Sequence, residues 1–153
     1  MTRVLIAGIG HPDRGDDTVG LLVAERLGVL LGEVQDVEVV ATTADPSALL
    51  TLPAWDLAEH LIVVDACVGG AVPGHVHVFR DPDALPVPVA GGTHDLGLAT
   101  TLALARALGR RPAQVTVLAV EGAQFEVGSA PSPEVLAAAE LLVARLVSEH
   151  GGA

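Results

Sequence analysis

The chain has 153 residues, a length that predicts one α/β domain over 1–153. Half of its residues are hydrophobic, yet no apolar run reaches the roughly 18–20 residues of a membrane span, and only 2% are aromatic. Its net charge is −11, and all eight basic residues are arginine. An acidic chain with no basic stripe and few stacking aromatics excludes a nucleic-acid partner. The short apolar start leads straight into a polar loop, so it reads as a first strand and not as a signal peptide. The expected location is cytoplasmic, with no membrane partner.

Residues 3–8 form the first expected strand. Residues 17–30 carry Val, Leu and Ala at helical spacing, with Asp16 as the expected N-cap and Asp17 near the positive helix end. Residues 36–41 read as strand two, and Pro46 to Leu52 as a short helix. Residues 60–67 form strand three, whose continuous apolar run marks burial on both faces. Residues 74–80 alternate with period two and predict a half-exposed strand, antiparallel at an edge. Three prolines and two glycines make 81–93 a loop. A helix over 95–108, a strand over 114–120, a loop over 121–131 and a helix over 132–148 with Pro133 at its first position complete the chain. Strands alternating with helices predict an α/β three-layer sandwich: a mostly parallel twisted sheet with helices on both faces.

Three polar residues stand where apolar stretches end. Asp17 closes the loop after Val4-Leu5-Ile6-Ala7, Asp65 ends Leu61-Ile62-Val63-Val64, and His94 precedes an apolar helical pattern. Two carboxylates and an imidazole are ligands for a borderline divalent cation. In a parallel α/β sheet the carboxyl ends of the strands share one crevice. Asp17 alone would also serve as a helix-dipole residue, and His94 alone as a loop or cap partner. Asp65 is harder to explain as structure, because a carboxylate ending so apolar a run is costly unless paired or coordinated.

Other motifs point elsewhere less well. The Gly8-x-Gly10 turn invites a dinucleotide reading, but Asp13 stands where the third glycine belongs. Asp13, Asp16 and Asp17 would also repel a pyrophosphate. No tightly bound organic cofactor is expected. Cys67, the sole cysteine, offers a Cys–His pair with His94, although a lone cysteine near a strand end is more often a small buried hydrophobe. His75 and His77 share one strand face at i, i+2, a spacing that offers a metal pair, although a solvated edge is the expected reading. None of the four serines lies in a Gly-x-Ser-x-Gly elbow.

Gly8-Ile9-Gly10-His11-Pro12-Asp13-Arg14-Gly15-Asp16-Asp17-Thr18-Val19-Gly20 resembles the opening Gly-x-Gly-Asn-…-Asp-Asp/Glu-x-x-Gly signature of the nickel–iron hydrogenase maturation endopeptidases. Val64-Asp65-Ala66 resembles that family's second acidic motif. His94-Asp95-Leu96-Gly97-Leu98 is similar to its His-x-Leu-Gly-Leu motif, and Glu121-Gly122 through Ser132-Pro133-Glu134-Val135 follows its layout. The resemblance covers nearly the whole chain in order. It implies an endopeptidase that removes the C-terminal extension of a hydrogenase large-subunit precursor after nickel insertion. It maps catalytic and nickel-recognising roles to Asp17, Asp65 and His94. The nickel is then carried by the substrate, so the enzyme need hold no permanent metal. The sequence departs from the family at His11, where Asn is usual, and at Ala41-Thr42-Thr43-Ala44-Asp45, where an Asp-Gly-Gly-Thr loop tied to substrate selection is common. The metal-site residues are intact, while the cognate hydrogenase is left open. A self-contained metal-dependent hydrolase of small molecules and a non-catalytic nickel chaperone are the alternatives.

Overall fold

The computed structural model describes residues 3–43, 45–80 and 93–152, with the side chains of 93–96 outside the description. Five strands, β1 (Val4–Ile9), β2 (Val37–Thr42), β3 (His60–Cys67), β4 (Val76–Phe79) and β5 (Gln114–Glu121), form one sheet in the order β2-β1-β3-β5-β4. Strands β2, β1, β3 and β5 are parallel, and β4 pairs antiparallel with β5 at the edge. The edge strand is therefore where period-two alternation placed it.

Alternation of side chains across the sheet feeds two cores. Ile6, Ile62, Val64, Leu118 and Val120 pack under helices α1 (Val19–Leu31) and α4 (Pro133–His150). Leu5, Ala7, Leu61, Val63, Val115 and Val117 pack on the other face. There they meet Leu98, Leu102 and Ala105 of α3 (Thr93–Ala107) and Trp55 of a short helix α2 (Pro53–Leu57). At about 1.5–3 kcal/mol for each fully buried Val, Leu or Ile, these two layers dominate stability. The result is the expected three-layer arrangement.

The sequence left α2 unassigned, since five residues carry no readable period. It is fixed from outside: Pro53 opens it, and the buried Trp55 donates its indole N–H to the Arg110 carbonyl at 2.7 Å. Residues Pro46–Thr51 form a 3₁₀ turn capped by Asp45, which accepts from the Ser47 N–H at 2.9 Å. The expected loop at 81–93 lies outside the described residues except for Thr93, which starts α3. Among the described residues no helix is long and apolar enough to cross a membrane.

Candidate active site at the carboxyl end of the sheet

Gly20 explains how the first acidic loop reaches the sheet. A Cβ there would collide with the Ile9 carbonyl oxygen and lie 2.5 Å from that of Val64. Gly8 answers from the strand side, where a Cβ would overlap the Gly20 carbonyl and sit 2.7 Å from the Ala24 Cβ. Two glycines thus let the first turn of α1 rest directly on β1 and β3. Asp17 lies three residues before Gly20, and Asp65 immediately follows Val64. The backbone contact brings the segments that carry Asp17 and Asp65 together near the carboxyl ends of β1 and β3. Both aspartates are buried.

Asp17 sits in a 3₁₀ turn, Gly15–Thr18, that precedes α1. Its carbonyl accepts from the His11 N–H at 3.2 Å, and its Oδ2 lies 2.8 Å from His11 Nδ1. Asp65 Oδ1 accepts from the Ala66 N–H at 2.8 Å. His94 is the second residue of α3, and its side chain lies outside the described residues. The start of α3 is held near this end of the sheet by Gly97, where a Cβ would meet the Pro46 ring at 3.0 Å.

The expected N-cap role of Asp16 is not observed. Asp16 is fully buried inside the 3₁₀ turn, and its carboxylate points away from α1 to the 122–132 loop. It accepts from the N–H groups of Ala123 (2.7 Å), Gln124 (2.9 Å) and Ser132 (2.6 Å), and from the Ser132 hydroxyl (2.8 Å). Burial pushes its pKa up. The hydrogen bonds from Ala123, Ser132 and Gln124 overcome that and leave it below the usual carboxylate value. The Ser132 hydroxyl is thereby diverted from capping α4. Gly122 makes room, since a Cβ there would lie 2.8 Å from the Asp16 Cβ. Gly15, at φ +58°, donates its N–H to the Ser129 carbonyl at 3.0 Å. Asp16 therefore locks the 10–17 loop to the loop after β5, while the carboxylate of its neighbour Asp17 meets His11. Adjacent aspartates with opposite tasks could not be separated by spacing alone.

The second unforeseen feature centres on Glu121, the last residue of β5. It is buried and accepts from the Gly69 N–H (2.7 Å), the Ala71 N–H (3.2 Å) and His77 Nε2 (3.0 Å). Burial raises its pKa, but these partners bring it below its ordinary value. His77 is thus partly buried against a carboxylate and is not a solvated edge residue. Glu121 pairs in register with Cys67, so both side chains project from the same sheet face. The available signal was Glu121 itself, a charge ending the apolar run Val117-Leu118-Ala119-Val120 as Asp65 ends its own.

A cavity of about 290 Å³ opens beside Arg3, Asp36 and Leu57, at the amino ends of β1 and β2. It is on the opposite edge from both carboxylates and is not part of this site.

The family model for HycI hydrogenase maturation proteases matches residues 21–149. The chain belongs to the hydrogenase maturation protease family. Asp65 and His94 fall within the matched span, and Asp17 lies just before it. The chain is 29% identical to the hydrogenase expression/formation protein HupD of Rhodobacter capsulatus over 153 residues, covering 96% of this chain and 70% of HupD. It superposes on the hydrogenase maturating endopeptidase HybD of Escherichia coli with a TM-score of 0.76 at 25% identity, covering 97% and 91% of the two chains. The [NiFe] hydrogenase maturation protease HycI of Thermococcus kodakarensis shares the fold, with a TM-score of 0.82 at 24% identity over 99% of this chain and 94% of that one. This hydrogenase maturation protease has the five-stranded α/β sandwich of those relatives.

Proposed function

We propose that the enzyme cuts the C-terminal extension from a hydrogenase large-subunit precursor that already carries nickel, and that Asp17, Asp65 and His94 read that nickel. The observation that carries this reading is the seating of α1 on β1 and β3 through Gly8 and Gly20. It delivers two buried carboxylates from separate segments to one end of the sheet. Carboxylates held there offer hard oxygen donors to a divalent ion, and an imidazole completes a mixed donor set suited to nickel.

Nickel is cargo of the substrate in this account. Three side chains on separate segments make an incomplete coordination sphere, and ordering them around a free ion costs conformational entropy. A precursor whose thiolates already hold the metal needs only the missing ligands. The metal then fixes the scissile peptide next to the carboxylates, and positioning of this kind contributes several kcal/mol to a hydrolytic step. The two buried aspartates support an aspartic-type peptide hydrolysis. The work is expected in the cytoplasm.

Processing assays with Asp17→Asn, Asp65→Asn and His94→Ala test the assignment. Each variant is expected to fold and to lose cleavage by about a hundredfold or more, the scale of a substrate misplaced by an ångström. Normal cleavage by a well-folded His94→Ala protein would contradict it.

A further inference from the structure

We propose that Cys67, His77 and Glu121 form a second metal site, which takes a divalent ion of the zinc–cobalt–nickel class from solution. The inference does not depend on the role given to Asp17, Asp65 and His94. The three residues come from the ends of three adjacent strands. Cys67 and Glu121 are register partners at the carboxyl ends of β3 and β5, and His77 lies on β4 opposite Ala119, two residues from Glu121 on the same face. One ligand atom from each lies within 4.8 Å of the other two, the sole such group of Cys, His, Asp and Glu among the described residues.

The individual distances suit an ion. His77 Nε2 is 3.0 Å from Glu121 Oε1, and Cys67 Sγ is 4.0 Å from the same oxygen. A tetrahedral zinc with ordinary Zn–N, Zn–O and Zn–S bonds places such atoms roughly 3.3–3.6 Å apart. The two distances to Glu121 Oε1 bracket that range, and the third, between Cys67 and His77, is within 4.8 Å, so small side-chain shifts close the cluster around an ion. Thiolate, imidazole and carboxylate together form the mixed set that borderline divalent ions prefer over calcium or magnesium. Glu121 is already oriented by the Gly69 and Ala71 N–H groups, the kind of outer support that metal-ligating carboxylates have. Three protein ligands leave a fourth position for water.

Binding has a defined proton balance. The Cys67 thiol gives up its proton to solvent and becomes the thiolate ligand. The proton that His77 Nε2 shares with Glu121 in the free chain moves to Nδ1 through solvent, and the neutral imidazole binds through Nε2. No electron is transferred. The bound ion ties the 68–75 connection to the sheet near Asp65, adding to the hydrogen bonds that the Glu121 carboxylate accepts from Gly69 and Ala71 and that its main chain makes with Gly74 and His75.

Cobalt(II) titration of the metal-free full chain tests this, because a sulfur ligand gives a thiolate-to-cobalt charge-transfer band that a carboxylate–imidazole site cannot produce. The expected result is such a band saturating at about one ion per chain. Cys67→Ser should abolish the band, His77→Ala should weaken binding at least about tenfold, and Asp17→Asn should keep the band at full intensity. A wild-type measurement covers the case in which variants misfold. Since Cys67 is the sole cysteine, zinc should slow its alkylation by iodoacetamide at least about tenfold. Absence of the cobalt band together with an unchanged alkylation rate would overturn the proposal. Loss of the band in a folded Asp17→Asn protein would do so as well, by showing that Cys67 shares its ion with Asp17 and not with His77 and Glu121 alone.

Discussion

His11 Nδ1 lies 2.8 Å from Asp17 Oδ2, across the loop that joins β1 to α1. With Asp17 ionised, Nδ1–H is the donor, and the imidazole fixes which way the carboxylate faces. The family signature usually has Asn at this position, and an Asn side-chain N–H can serve the same end. His11 is therefore a positioning residue. His11→Ala should lower precursor cleavage about tenfold, the usual cost of losing an outer partner of a ligand. His11→Asn should restore most of the rate. Steady-state assays of both variants check this, and an inactive His11→Asn protein would instead make His11 a direct participant.

Asp16 should matter for stability and not for recognition. Asp16→Asn removes a carboxylate that accepts from three backbone N–H groups and one hydroxyl. It sets an amide N–H against those donors, and the expected cost is about 2–4 kcal/mol. The folded pKa is depressed. The Asp16 contribution is thus complete above the ordinary carboxylate value of roughly 4 and is lost as pH falls through the folded value. Urea melts from neutral pH to about pH 3 should show the gap between wild type and Asp16→Asn narrowing with acid. A gap that widens would contradict the structure.

Gly20→Ala tests the seating of α1. The added methyl would meet the Ile9 and Val64 carbonyl oxygens. Backbone cannot yield as a flexible side chain does, and overpacking of this kind costs about 1–3 kcal/mol or more. In a chain of this size that lowers the melting temperature by roughly 2–4 °C for each kcal/mol. Because the methyl pushes the first turn of α1 off the sheet, cleavage should fall even at temperatures where the variant is folded. Calorimetry paired with a processing assay reads both effects.

The layers, the mostly parallel sheet and the antiparallel edge were legible in the sequence because burial on both faces, helical spacing and strict alternation each leave a distinct pattern. Asp65 stood out in the sequence because its charge ends the apolar run Leu61-Ile62-Val63-Val64, and Asp17 because it closes the polar loop that follows Val4-Leu5-Ile6-Ala7. Helix α2 was not, because Trp55 is held by Arg110, 55 positions away in the chain. Asp16 and Asp17 differ only in direction, which the 3₁₀ turn sets and which adjacency in sequence conceals. The pairing of Cys67 with Glu121 needed the β3–β5 register, a property of two strands separated by a full crossover.

The central claim is that cleavage reads nickel in the precursor. It is tested most directly by giving metal-stripped enzyme a nickel-loaded and a nickel-free precursor side by side and measuring release of the C-terminal extension. The account predicts rapid release from the loaded precursor, and release slower by about a hundredfold or more from the nickel-free one, which lacks the anchor that places the scissile bond. Equal release from the two would contradict it.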